Sequence, residues 1–138
     1  MSKHAVSAIA LLLLAAYPVL AAPDSQASFA GRWEGSFKGT VFCVLTIQAG
    51  GTISGTLSPG DVTADDDGVI TDAKPSTPDG TFPILNPKVD GKTLHFEWKE
   101  SSDDQALQFE FKLTGDKEGE LRMVSSEGIK PILLRRAD

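Results

Sequence analysis

Cysteine is almost absent from this sequence of 138 residues, in which Cys43 is the only one. A single cysteine cannot form an internal disulfide, so the hydrophobic core must stabilise the fold without a covalent cross-link. Cys43 stands in a strand-like run with Val41, Leu45 and Ile47 at alternate positions. This setting predicts a small buried hydrophobic side chain and not a reactive thiol.

The sequence also has too few basic residues to balance its acidic ones. The chain has 13 lysines and arginines against 19 aspartates and glutamates, which gives a formal net charge of −6 at pH 7. An acidic surface repels phosphate backbones and anionic lipid headgroups. The composition therefore predicts that neither nucleic acid nor a membrane surface is a partner.

Only one long apolar run is present, at residues 5–16, and it follows Lys3. The tripeptide Val19-Leu20-Ala21 supplies the small-residue pattern that signal peptidase accepts, and the apolar run is shorter than the roughly 20 residues that a membrane-spanning helix needs. We therefore predict a cleaved signal peptide at residues 1–21, with cleavage after Ala22 as the alternative. The product is expected to be exported, to the periplasm or the extracellular space. The residue directly after the predicted cleavage site is not a cysteine, so we expect no lipid anchor.

Residues with catalytic or ligating chemistry are few beyond the leader. His95 is the only histidine there, and alternation places it on a polar strand face. It has no histidine or cysteine partner for binding a metal or haem. Its position also does not suit it to act as the base for a serine or cysteine nucleophile. Glu34, Glu97 and Glu110 fall on outward-facing positions, so they predict no carboxylate pair for acid and base catalysis. We predict a non-enzymatic protein with no cofactor and no metal.

Residues 58–81 form a long, acidic, proline-rich stretch that predicts a loop. Loops of this length in a compact domain are unusual and are either functional lids or solvated connections, and the composition favours a solvated connection. An EF-hand is excluded because Thr63 and Lys74 occupy the first and last ligand positions. A looser calcium site stays open as an alternative, with ligands from Asp61, Asp65, Asp67 and Asp72.

Alternation of apolar and polar residues is the main pattern that the sequence does have. It is clearest at residues 92–99 and 106–113, and short turn sequences separate the strand-like segments. We predict an all-β domain at residues 31–136, preceded by a flexible lead-in at 22–30. The expected architecture is a single antiparallel up-and-down β-barrel of about eight strands, because closure removes exposed edges. A two-sheet sandwich is the alternative.

The first strand contains the sequence Gly31-Arg32-Trp33, and two arginines, Arg135 and Arg136, stand at the end of the last strand. This combination resembles the calycins, the group of barrels that includes lipocalins and fatty-acid-binding proteins. The resemblance implies that Trp33 closes one barrel end and that an arginine packs across its ring. Arg135 is the expected partner and Arg136 is the other candidate. The stretch also partly resembles nitrobindin-type haem barrels.

The inward face of the predicted barrel leaves two functional interpretations open. The expected lining residues are Phe96, Trp98, Phe109, Phe111 and Met123. These side chains can line a pocket for one small hydrophobic ligand, or they can fill the interior, since a barrel of about eight strands is just wide enough for side chains. The first interpretation predicts a ligand-binding barrel. The second predicts a filled barrel that acts through its surface, as a protein-interaction or protease-inhibitor module of the cell envelope.

Overall fold

The structure is a computed structural model that describes residues 26–100, 105–124 and 128–137. The predicted signal peptide at residues 1–21 and the first part of the predicted lead-in, residues 22–25, lie outside the described residues. Within the three described ranges, none of the helices has the length and apolar character needed to cross a membrane.

The described chain is built almost entirely of strands, with one short 3-10 helix at Pro78–Gly80. The strands are β1 (Gly31–Phe37), β2 (Thr40–Gly50), β3 (Thr52–Pro59), β4 (Val62–Ala64), β5 (Ile70–Ala73), β6 (Phe82–Pro83), β7 (Leu85–Asp90), β8 (Thr93–Trp98), β9 (Leu107–Leu113), β10 (Glu118–Met123) and β11 (Ile132–Ala137).

Nine strands form one antiparallel sheet in the order β6-β3-β2-β1-β11-β10-β9-β8-β7, in which the first and last long strands, β1 and β11, pair with each other. The two edge strands, β6 and β7, come from one segment interrupted only at Ile84. Counted as one bent strand, this segment completes a circuit of eight strands and makes a nearly closed barrel. The predicted all-β, antiparallel, up-and-down fold is confirmed.

The bent segment explains why the barrel closes incompletely. β6 pairs with β3 only at Thr56 and Leu57, and the N–H of Ile84 adds one bond of 3.0 Å to the carbonyl of Gly55. Beyond this point β7 contains Pro87, which has no N–H to donate to a ladder. In the described structure β7 therefore pairs with β8 alone, and a seam remains between β3 and β7.

The acidic stretch at residues 58–81 is more ordered than its composition predicts. Its first two residues belong to β3, and its middle folds back on itself as a separate ribbon of β4 and β5. The carboxylate of Asp65 closes the turn of this ribbon by accepting hydrogen bonds from the backbone of Asp67 at 2.9 Å and Val69 at 3.0 Å. Hydrogen bonds from the backbone to the Asp65 side chain thus stabilise this turn. Amino-acid composition alone does not predict such bonds.

The core lies inside the barrel and is formed by the inward positions of the long strands. Trp33, Leu94 and Phe111 are fully buried, and their strand neighbours in sequence are exposed or half-buried. Period-2 alternation is what a strand with one buried face requires. The same alternation decides which side chains reach the two candidate sites below.

Candidate functional site

The first candidate site is the barrel end at Trp33, where a cation covers the indole ring. The guanidinium carbon of Arg136 lies 4.2 Å from the ring centroid of Trp33, a distance at which the interaction contributes about 0.5–2 kcal/mol. The indole N–H donates to the carbonyl of Phe29 at 2.9 Å. The guanidinium also donates to three backbone carbonyls, those of Ser28, Ala30 and Asp116.

The arginine at this end is Arg136, and the expectation that Arg135 packs across the ring is wrong. Side chains alternate along β11, so Leu134 and Arg136 point inward while Arg135 points outward, where it pairs with Glu118 at 3.5 Å. The three apolar residues before the arginines hide this parity in the sequence. Only a strand register, with Trp33 opposite Arg136, reveals it.

Gly31 is required at this end for two reasons. Its φ of +133° lies in a region that side chains rarely adopt, and a Cβ at this position would lie 2.6 Å from a guanidinium nitrogen of Arg136. The glycine thus lets the chain enter β1 directly under the arginine. The predicted association of Gly31 with Trp33 has this contact as its physical basis.

The described part of the lead-in, residues 26–30, is packed against the barrel end. It forms a helical turn in which the N–H of Phe29 donates to the carbonyl of Gln26 at 3.1 Å. The Phe29 ring is fully buried, with its centroid 6.2 Å from that of Phe111. This one aromatic residue anchors the turn at residues 26–30 to the barrel end.

The predicted cavity-lining residues contact one another between neighbouring strands, and Phe111 also contacts Trp33 across the barrel. The rings of Phe96 and Phe109 stack with centroids 5.4 Å apart, and Trp98 meets Phe109 edge-on at 6.5 Å. Phe111 meets Trp33 edge-on at 5.0 Å. Met123 stands opposite Phe109 in the ladder and is half-buried. Phe96, Trp98, Phe109 and Phe111 belong to the buried core, and Met123 packs against it.

Trp98 has a structural contact that a ligand-lining role does not predict. Its indole N–H points at the barrel seam and is shared between the carbonyl of Leu57 at 3.1 Å and that of Phe82 at 3.2 Å. One side chain from β8 therefore holds β3 and β6 together. This bond compensates for the short ladder between those two strands.

Five clefts in the described part of the chain open to the surface, and none of them is lined by Trp98, Phe111 or Met123. Of the predicted lining residues, Phe96 and Phe109 border one cleft of about 270 Å³, whose other members are mainly outward-facing polar residues. The structure thus brings the predicted residues together in the hydrophobic core.

The second candidate site is an open groove of about 680 Å³ on the outside of the barrel, between the β4–β5 ribbon and β11. Val69 and Leu133 border it with 46% and 45% of their surfaces exposed. The N–H of Lys130 donates to the carbonyl of Gly68 at 3.0 Å and fixes the ribbon turn beside β11. The lining residues are Glu34, Ser36, Phe37, Phe42, Gly68, Val69, Ile70, Lys130, Pro131, Ile132, Leu133, Arg135, Arg136 and Ala137.

Sequence reasoning missed this groove, although a signal for it exists. Residues 132–134 are apolar without alternation, a pattern that indicates a strand with apolar surface on both faces. Leu133 is the outward member of that run. Val69 also lines the groove because it belongs to the turn of the β4–β5 ribbon. The sequence pattern does not predict where this ribbon packs.

The titratable groups with special surroundings are Cys43 and a surface cluster on β8, β9 and β10. Burial raises the pKa of the Cys43 thiol from 9.0 to about 12, because the thiolate would lose its hydration. In the cluster, Nδ1 of His95 lies 3.2 Å from Glu110, whose other carboxylate oxygen binds Arg122. The cluster is solvent-exposed and has the character of a cross-strand charge network.

The aspartates of the acidic stretch do not converge on a cation site. All four residues of the looser calcium alternative are described, and no group of three or more His, Cys, Asp or Glu side chains in the described ranges is arranged to hold a metal. The carboxylate of Asp65 is used for the ribbon turn instead.

No family model, curated protein or solved structure matches this chain.

Proposed function

We propose that this chain is an exported, non-enzymatic filled barrel that acts through its outer surface as a protein-interaction module of the cell envelope. The observation that carries the proposal is the interior itself: Phe96, Trp98 and Phe109 occupy it in direct ring contacts. Protein interiors pack to crystal-like density, so a barrel of this kind offers partners its outer face.

A small hydrophobic ligand inside the barrel is the other candidate from the sequence, and the geometry favours it less. Ligand pockets have volumes of about 300–1,000 Å³, so a ligand would have to separate the stacked pair of Phe96 and Phe109. It would also have to displace Trp98 from the two carbonyls that hold the seam.

The proposal includes a relationship to the calycin barrels. Its support is the nearly closed antiparallel sheet and the packing of Arg136 over Trp33 at one end. Export is supported by the leader pattern at residues 1–21. A mass of the secreted product that begins at Ala22 would agree with this part of the proposal, and a retained leader would contradict it.

The experiment compares interior and surface binding on the mature chain, residues 22–138. Native mass spectrometry after incubation with a lipid extract and with a fluorescent fatty acid is expected to show no bound ligand. Cross-linking in an envelope extract is expected to give a partner protein that rebinds after both components are purified. A stoichiometric ligand that shifts the NMR signals of Phe96 and Phe109 would overturn the proposal in favour of the ligand-binding barrel.

A further inference from the structure

The outer groove is lined on one side by β11 and the residues just before it. This part of the lining extends from Lys130 to Ala137, a path of about 23 Å if the chain is extended at 3.3 Å per residue. An extended peptide rises by the same distance per residue, so it can lie alongside this path.

The charges along the groove favour an acidic occupant. Lys130 and Arg135 both line it, and within the described ranges no carboxylate lies within 4.0 Å of the Lys130 ammonium. Arg135 pairs with Glu118 at 3.5 Å, but an exposed ion pair of this kind is weak, so a further carboxylate can compete for this guanidinium. Glu34 is the one carboxylate in the lining, and Arg32 pairs with it at 2.8 Å. The lining therefore contains more basic than acidic side chains, in a chain whose net charge is −6.

The apolar part of the groove lies between the two cations. Val69 from the ribbon and Leu133 from β11 are half-exposed there, with Phe37 and Ile70 also in the lining. Exposed apolar residues that cluster with a polar rim mark interaction sites. Along the chain, Leu133 stands between Lys130 and Arg135.

We propose that this groove binds an extended acidic segment of a partner protein, with one apolar side chain seated between Val69 and Leu133 and carboxylates near Lys130 and Arg135. The inference rests on the proposed function, because it names the surface and the partner chemistry of a barrel that acts through its outside. Two cations roughly 17 Å apart, at 3.3 Å per residue, suit carboxylates spaced along a peptide better than the single headgroup of a fatty acid.

The test uses the mature chain, residues 22–138, with isotope-labelled methyl groups and three blocked nine-residue peptides. One peptide alternates leucine and glutamate, one alternates leucine and lysine, and one alternates serine and glutamate. The first is expected to shift the methyl signals of Val69 and Leu133 and to bind on the order of tenfold more tightly than the other two. Binding is expected to weaken as salt rises, because exposed charges are screened.

Four variants assign the binding to the groove. Leu133→Ser removes apolar contact and Lys130→Glu with Arg135→Glu reverses the charge, and each change is expected to weaken binding of the leucine–glutamate peptide at least tenfold. Val124→Ser is the matched control for an exposed apolar residue outside the groove, since Val124 is 38% exposed. Lys112→Glu is the control for an exposed cation outside the groove. Both controls are expected to bind as the unchanged chain does.

Several outcomes would overturn the inference. Equal binding of the leucine–lysine peptide, signal shifts outside the groove, or tighter binding of decanoate than of the peptide would each do so. Self-association that is lost in Leu133→Ser would assign the groove to a second copy of the chain instead. If a purified partner binds the barrel but leaves the methyl signals of Val69 and Leu133 unchanged, the groove assignment fails while the proposed function stands.

Discussion

At the residue scale, adjacent arginines on β11 differ in energetic role because strand geometry directs them to opposite sides. The guanidinium of Arg136 packs on the Trp33 ring and donates to three backbone carbonyls, one from each of its three nitrogens. Arg135 holds an exposed ion pair with Glu118, and pairs of this kind contribute about 0–1 kcal/mol.

Arg136→Ala is expected to lower the free energy of unfolding by about 2–3 kcal/mol, through loss of the cation–π contact and of charged hydrogen bonds. Arg135→Ala is the matched control and is expected to lower it by less than about 1 kcal/mol. Arg136→Lys should fall between them, since an ammonium keeps the charge but cannot bind three carbonyls in the same way. Urea unfolding measures all three values, and equal losses for Arg135→Ala and Arg136→Ala would contradict the assignment.

Cys43 gives a prediction for alkaline pH. The folded chain keeps the thiol protonated up to a pKa of about 12, while the unfolded chain releases the proton near 9.0. The folded pKa is the raised one, so stability from this group is fully present below pH 9.0 and is lost as pH rises toward 12. In that window the unfolding free energy is expected to fall by about 1.4 kcal/mol per pH unit more in the unchanged chain than in Cys43→Ala. Parallel pH profiles would contradict the prediction.

At the element scale, alternation predicted the strands well where one face is buried and the other is wet. β8 and β9 have the predicted positions within one residue because their apolar residues strictly alternate. The same rule could not place Arg135 and Arg136, because residues 132–134 are apolar on both faces. It also gives no sign of the bend at Ile84, where one segment contributes both edge strands of the barrel.

The parts that sequence patterns did not predict depend on contacts between distant segments. Phe29 looks like an isolated aromatic residue in a polar lead-in until the barrel end presents Phe111 to it. The outer groove needs the ribbon turn at Gly68 to bond with Lys130, and these residues are far apart in the sequence. Local strand propensity does not predict contacts between segments that are distant in the sequence.

The short ladder between β3 and β6, beside the seam, gives a prediction for a single element. Trp98→Phe keeps an aromatic ring in the core but removes the N–H that binds Leu57 and Phe82, and the lost bond is expected to destabilise the fold by about 1–3 kcal/mol. Amide exchange should accelerate most at Ile84, which donates to β3 beside the seam. The control is Phe96→Leu, a core change on the same strand that leaves the indole in place. Uniform acceleration across all strands in Trp98→Phe would contradict a local role for the indole.

At the scale of the whole molecule, the barrel is stabilised by its hydrophobic core, because its single cysteine cannot form an internal disulfide. Arg136 and Phe29 close one end on Trp33, while Trp98 fastens the contact between β3 and β6. The filled interior that we propose leaves little internal volume for function. The outer surface is then the part of the molecule that is free to evolve contacts with a partner.

The filled interior that we propose predicts that the unchanged chain has no internal binding site. It also predicts that truncation of a core side chain creates one. Phe111 is fully buried between Trp33 and Phe29, and Phe111→Ala is expected to lower the free energy of unfolding by about 3–5 kcal/mol through the cavity that it leaves. Apolar cavities of this kind stay dry and take up benzene or xenon. Benzene should therefore raise the melting temperature of the variant and leave that of the unchanged chain unaltered, because a ligand stabilises only a state that binds it. If benzene stabilises the unchanged chain to the same degree, the interior already contains a site, and the argument for a surface function loses its premise.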